Sequence, residues 1–191
     1  GINAEYGEME IGKLVLVGLS STGKTSLVKR IVDDAFDDEN QATLNAACFR
    51  YSTEFEHKPL TLQIWDTAGQ ERYRALSTMY FRGANLVLLL VDVTSRPSFD
   101  EARFWLQNVR EKAPSAKRFL VANKVDLGWK VEKSQFQDLA GSFDGAFQIS
   151  CKTGDGVGEM MQRVIKSYVK GDEDVKKVVE VKQVGQKTGC C

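Results

Sequence analysis

Short apolar runs alternate along this chain with stretches whose apolar residues recur at helical spacing, and the alternation predicts strands and helices in turn. Lys13 to Val17 reads as a first strand, and Ser26 to Val32 carries the spacing of a helix face that ends near Asp33 to Ala35. Phe36 to Ala47 is polar and loop-like. Ala47 to Phe55 and Leu60 to Trp65 read as two strands joined through Glu56-His57-Lys58-Pro59 as a hairpin, which makes His57 a solvated turn residue rather than a ligand or base. Asn85 to Val91 is continuously apolar, as a strand buried in a parallel sheet must be. Ser98 opens a helix running to about Lys112, with Phe99, Ala102, Phe104, Trp105 and Val109 as core candidates. A strand over Lys117 to Ala122, a helix over Glu132 to Ala140, a strand over Ala146 to Ile149 and a helix over Gly156 to Val169 complete the pattern.

Strands alternating with helices predict a three-layer α/β domain built on a mostly parallel sheet. Residues 11–170 are expected to form it, with a polar, flexible segment at 1–10 and a flexible tail at 171–191, where a clear apolar face is lost after Val181. The 191 residues suffice for one domain with a sizeable core. Lys plus Arg and Asp plus Glu are equal at 26 each, which argues against a nucleic-acid binder relying on bulk charge. The longest strongly apolar run, Leu86 to Val91, is far short of a bilayer span. Gly1 to Glu10 is unlike a signal peptide, and Tyr6 stands where a myristoylation motif needs Ser or Thr. The expected location is therefore the cytosol or a cytosolic membrane face. Cys48 and Cys151 are isolated and Cys190-Cys191 are terminal, a distribution that suits neither a disulfide framework nor a zinc site.

The chemistry begins at Gly18-Leu19-Ser20-Ser21-Thr22-Gly23-Lys24-Thr25, which fits G-x-x-x-x-G-K-[ST] between a strand and a helix. Glycines at 18 and 23 let successive backbone N–H groups turn toward phosphate oxygens, and the following helix adds the positive end of its dipole. Ser20, Ser21, Thr22, Gly23, Lys24, Thr25 and Ser26 are thus candidate nucleotide contacts, with Lys24 on the outer phosphates and the Thr25 hydroxyl on Mg²⁺. Asp66 follows a strand, where ligands bind in open α/β sheets, and its carboxylate is a second candidate for Mg²⁺. In the Asp66-Thr67-Ala68-Gly69-Gln70 loop, Gly69 can bring an N–H to a terminal phosphate and Gln70 can orient an attacking water. Asn123-Lys124-Val125-Asp126 supplies the base choice. Guanine offers two donors that the two Asp126 oxygens can accept together, whereas adenine would leave them unpaired, at a cost of about several kcal/mol. Lys124 can lie along the base, Asn123 can tie loops together, and in Ser150-Cys151-Lys152 the backbone can reach the guanine carbonyl while Lys152 braces the pocket.

These stretches, in this order, together with Leu62 to Tyr73, Tyr80-Phe81-Arg82-Gly83-Ala84 and Leu90-Val91-Asp92-Val93-Thr94, resemble a Ras-superfamily small GTPase, and more closely a Rab. The resemblance spans Lys13 to Val169 and the terminal cysteines. It implies a P-loop NTPase fold of the Ras-like G-domain type, a mixed, mostly parallel six-stranded sheet flanked by helices. It also implies that Phe36 packs edge-on against guanine, that Thr43 closes over Mg²⁺ and the γ-phosphate, and that Cys190 and Cys191 carry two prenyl chains. The expected partners are GTP or GDP, Mg²⁺, an exchange factor, a GTPase-activating protein, a GDP-dissociation inhibitor or escort protein, and effectors. A role in vesicle-mediated transport follows, and Ala46-Ala47, Arg72-Tyr73 and Met79-Tyr80 are most similar to the early-endosomal branch.

Three positions depart from the family pattern. Asn45 replaces the usual glycine two residues after the switch threonine, Cys48 replaces a phenylalanine that would join Trp65 and Tyr80 in an effector-facing group, and Cys151 replaces the commoner alanine. Two other readings compete with the switch. A guanine-nucleotide module with little hydrolysis is opposed by intact Thr43 and Gln70, and a P-loop ATPase or metabolic kinase is opposed by Asn123 to Asp126.

Overall fold

A computed structural model describes residues 10–38, 46–67 and 77–170. Six strands form one sheet: β1 (Glu10–Val17), β2 (Ala47–Phe55), β3 (Lys58–Asp66), β4 (Leu86–Asp92), β5 (Lys117–Asn123) and β6 (Gly145–Gln148). Their order is β2-β3-β1-β4-β5-β6, and only β2 runs antiparallel to its neighbour. Among the described residues, α1 (Lys24–Asp33), α2 (Ser77–Phe81), α3 (Arg96–Lys112) and α4 (Lys133–Ala140) lie between strands, and α5 (Val157–Lys170) follows the last of them. None of the described helices is long and apolar enough to cross a membrane.

The side-chain period of two sorts each central strand between two cores. Leu14, Leu16, Leu86, Leu88 and Leu90 pack with Leu27 and Val28 of α1 and Met160 and Val164 of α5. Val15, Val17, Val87, Leu89 and Val91 pack on the opposite face with Phe99, Ala102, Trp105 and Val109 of α3 and Phe136 of α4. Every residue of β4 is buried, which explains its unbroken hydrophobicity. β2, at the sheet's edge, alternates instead between half-buried and exposed positions.

The structure refines several sequence expectations. The hairpin is tighter than a four-residue connection: only Glu56 and His57 lie between Phe55 and its partner Lys58, both with positive φ, as a two-residue primed turn demands. The His57 side chain is fully exposed, 3.3 Å from Glu54. α3 begins at Arg96 rather than Ser98 because Pro97 sits in its first turn, where no N–H partner is needed. Ser98 is instead buried, accepting from the Asp92 N–H at 2.9 Å and donating to the Ser95 carbonyl at 2.7 Å. α2 was not predicted; it seats Phe81 in the core and Tyr80 against Trp65, with ring centroids 6.1 Å apart. Strand β1 leads to α1 on one face while β4 leads to α3 on the other, so a crevice opens beyond the carboxyl ends of these neighbouring strands.

Candidate functional site

That crevice is a cleft of about 350 Å³ lined from five places in the sequence: the loop from Ser20 to Ser26 except Thr22, Phe36 to Asp38, Thr67, the turn from Asn123 to Leu127 except Val125, and Cys151-Lys152. At its floor, the chain leaves β1 through Gly18 at φ 138° and enters α1 through Gly23 at φ 101°. A Cβ on Gly18 would lie 2.4 Å from the Leu90 carbonyl oxygen, and one on Gly23 would lie 2.2 Å from Asn123 Nδ2. Both glycines are therefore required by space as well as by backbone angle. Thr22 closes the loop on itself, donating to the Leu19 carbonyl at 2.9 Å.

Lys24 is 5% exposed, and its Nζ donates to the carbonyls of Gly18 and Leu19, both at 2.9 Å. Burial pulls its pKa down to about 8, against the opposing pull of the nearby Asp66 carboxylate. An anion added to the cleft would favour the charged ammonium, so the site is poised for phosphate. The Thr25 hydroxyl donates to Asp66 Oδ2 at 2.6 Å. A hydroxyl and a buried carboxylate oxygen this close are hard donors of the kind Mg²⁺ takes, with phosphate and water completing its shell. The Thr25 and Asp66 pair thus fits the cation expected from the sequence. Among the described residues no group of three or more His, Cys, Asp or Glu is placed to hold a metal. Thr67, buried beside Asp66, donates to the Leu16 carbonyl at 2.6 Å.

At the opposite end, Asn123 joins two loops: its amide donates to the Thr22 carbonyl at 2.9 Å and its oxygen accepts the Cys151 N–H at 3.1 Å. Lys124 crosses the cleft, with Nζ 2.8 Å from the Ser21 carbonyl and 2.6 Å from Asp92 Oδ2. Asp126 is exposed in a short 3₁₀ turn, Val125–Leu127, and accepts a 2.6 Å hydrogen bond from Ser150. Lys152 lies 3.6 Å from Asp38 across the mouth, and Phe36 is half-buried on the rim. Cys151 is buried, and desolvation pushes its thiol up to about 12, so it is a packing residue with no nucleophilic character.

Ser20, Ser21, Gly23, Lys24, Thr25, Ser26, Phe36, Asp66, Asn123, Lys124, Asp126, Cys151 and Lys152 are thus gathered at one cleft, with Ser150 directly behind it, while the buried Thr22 side chain turns back to the Leu19 carbonyl and does not line it. Thr43, Gly69, Gln70, Cys190 and Cys191, and the departure at Asn45, lie outside the described residues. Two residues escaped the sequence reading. Asp92 anchors Lys124 and is itself held by Thr94, whose N–H and hydroxyl donate to Oδ1 at 2.8 and 2.7 Å. Its signal was available, since it ends a buried strand as Asp66 does. Arg30 donates from α1 to the carbonyls of Cys151 and Lys152 at 2.9 and 2.8 Å, and nothing in its sequence neighbourhood marks it.

A family model described as the Ras family matches residues 13–170. GTP-binding protein ypt5 of Schizosaccharomyces pombe is 38% identical over 160 residues, covering 81% of this chain and 76% of that protein. Ras-related protein Rab-8B of Pongo abelii is 38% identical over 151 residues, with 77% and 73% covered. Ras-related protein RABE1e of Arabidopsis thaliana is 38% identical over 159 residues, with 81% and 73% covered.

Proposed function

The chain belongs to the Rab branch of the Ras family of small GTPases, and from that premise we propose that it is a GTP-hydrolysing switch held on the cytosolic face of an intracellular membrane by prenylated Cys190 and Cys191. GTP binding and switching in vesicle traffic come with the family; the hydrolysis by this chain, its anchoring and an endosomal address are our reading. The observation that carries it is the meeting, in one cleft, of a phosphate loop with a base-reading carboxylate held by Ser150.

In this reading the backbone of Ser20 to Thr25 cradles the phosphates, and Lys24 leaves its carbonyl partners to neutralise charge on the outer pair. Thr25 and Asp66 hold Mg²⁺, which when bound offsets charge on the β- and γ-phosphates. Asp126 accepts from both guanine donors, Lys124 and Phe36 flank the ring, and Lys152 closes the mouth toward Asp38. Gln70 orients the water that attacks in line with the departing diphosphate. Thr43 and Gly69 contact the γ-phosphate and let the segments around them report which nucleotide is bound. Two prenyl chains, at about 0.8 kcal/mol per buried CH₂, supply the anchoring that the charge-balanced tail lysines cannot.

The test is identification of the nucleotide released from purified protein, followed by single-turnover GTP hydrolysis by wild type and Gln70→Leu. Guanine nucleotide and a rate on the order of 10⁻⁴ s⁻¹ that is lost in the variant are expected. Adenine nucleotide would overturn the base reading, and equal rates in both proteins would overturn the hydrolytic one.

A further inference from the structure

Arg30 lies on the same helix as Lys24 and Thr25, yet its guanidinium is spent at the other end of the cleft. Nε donates to the Cys151 carbonyl at 2.9 Å and one terminal nitrogen donates to the Lys152 carbonyl at 2.8 Å. The other terminal nitrogen donates to the backbone and carboxylate oxygens of Asp34, each at 3.0 Å, at the end of α1. The side chain is 14% exposed: its bond to the Cys151 carbonyl is part-buried, those to Lys152 and Asp34 lie at the surface, and the planar fork is held by four hydrogen bonds.

The consequence runs through a peptide plane. In the trans peptide between Lys152 and Thr153 the N–H points opposite to the carbonyl, so holding the Lys152 carbonyl also aims the Thr153 N–H. That N–H donates to Ser150 Oγ at 3.1 Å, and Ser150 Oγ donates to Asp126 Oδ1 at 2.6 Å. The Thr153 N–H therefore occupies an acceptor site on the Ser150 hydroxyl and directs its proton at the carboxylate. A carboxylate turns easily about its last torsion, and Asp126 stands on an exposed turn. With Oδ1 held, its plane is set while a lone pair on each oxygen stays available to a ligand.

We infer that Arg30 is a positioning residue for base selection: through the Lys152–Thr153 peptide and Ser150 it orients the Asp126 carboxylate, so that the helix gripping the phosphates also sets the group that reads the base. The inference rests on the guanine reading of the cleft given above. It differs from a plain brace between α1 and the loop, because a brace would affect every nucleotide alike. The discriminating pair is GDP and inosine diphosphate, which lacks the exocyclic amino group that the second carboxylate oxygen accepts.

The experiment measures affinities of both diphosphates for the full chain as wild type, Arg30→Met, Arg30→Lys, Ser150→Ala and the double variant Arg30→Met with Ser150→Ala, with thermal melting to confirm folding. Loss of the relay in Arg30→Met should cut the GDP-to-inosine-diphosphate affinity ratio by about tenfold. Ser150→Ala should match it, the double variant should lose no more than either alone, and Arg30→Lys should recover part of the ratio. Should Arg30→Met fail to fold, Arg30→Lys and Ser150→Ala read the same ratio. An unchanged ratio, with both diphosphates weakened equally, overturns the inference while leaving the guanine site standing. A wild type that does not prefer GDP to ADP overturns the site reading and the inference with it.

Discussion

Raising the pH should stabilise the nucleotide-free protein through one residue, Lys24. Its pKa lies near 8 in the folded chain and 10.5 is its ordinary value, because burial at the cleft floor disfavours the ammonium more than Asp66 favours it. Between these values the unfolded chain holds a proton that the folded chain has released, so stability rises with pH across that window. Below it both states are protonated and the folded state carries the full cost of a buried charge. At about 1.4 kcal/mol per pH unit, the window corresponds to a gain of about 3 kcal/mol. Urea unfolding of protein stripped of nucleotide, from pH 7 to 10.5, measures it, with Lys24→Met as the reference that cannot titrate. The stability of wild type relative to Lys24→Met should climb by about that amount. With GDP and Mg²⁺ present the climb should vanish, since the phosphates hold Lys24 protonated throughout. Parallel pH profiles for the stripped proteins would refute the reasoning, because they would mean that burial does not perturb this lysine.

Two further outcomes follow from the same cleft. Gly23→Ala should destabilise the fold by about 2–3 kcal/mol, combining the cost of a Cβ at positive φ with displacement of Asn123 from the Thr22 carbonyl; an unshifted urea midpoint would count against it. Iodoacetamide at pH 8 should modify exposed Cys48 and leave Cys151 untouched until the protein is unfolded, as mass spectrometry of the labelled peptides reports. Equal labelling of the two in the folded state would contradict the packing role given to Cys151.

The strands and long helices were legible because burial imposes a period on the sequence. The uninterrupted apolar run of β4 reads as a strand covered on both faces, and the spacing of Phe99, Ala102, Trp105 and Val109 reads as one face of a helix. Boundaries were less legible where a local device overrode the pattern, as when Pro97 drew the start of α3 forward and a primed turn shortened the hairpin. α2 escaped because five residues are too few to display a helical period. The departure at Cys48 became concrete only in three dimensions. It pairs with Trp65 across the β2–β3 ladder, beside Lys13, whose ammonium lies 4.8 Å from the Trp65 ring.

Residue order alone carries the chemical vocabulary of the site: a glycine-bounded phosphate loop, a carboxylate at the end of a strand, and an Asn-Lys-x-Asp run whose last residue can discriminate guanine. These were readable because phosphate binding and base selection each need particular residue types at short, fixed spacings. Tertiary structure decided how the separate runs act as one site. It brought Asn123 to the Thr22 carbonyl, Lys124 to Asp92 and Ser21, and Arg30 to the loop at Cys151 and Lys152. These are contacts between residues distant in sequence, and the partners are often backbone carbonyls, which every residue possesses. A carbonyl leaves no mark in a sequence, so its use as a partner emerges only when the sheet register and the packing of α1 bring a donor to it.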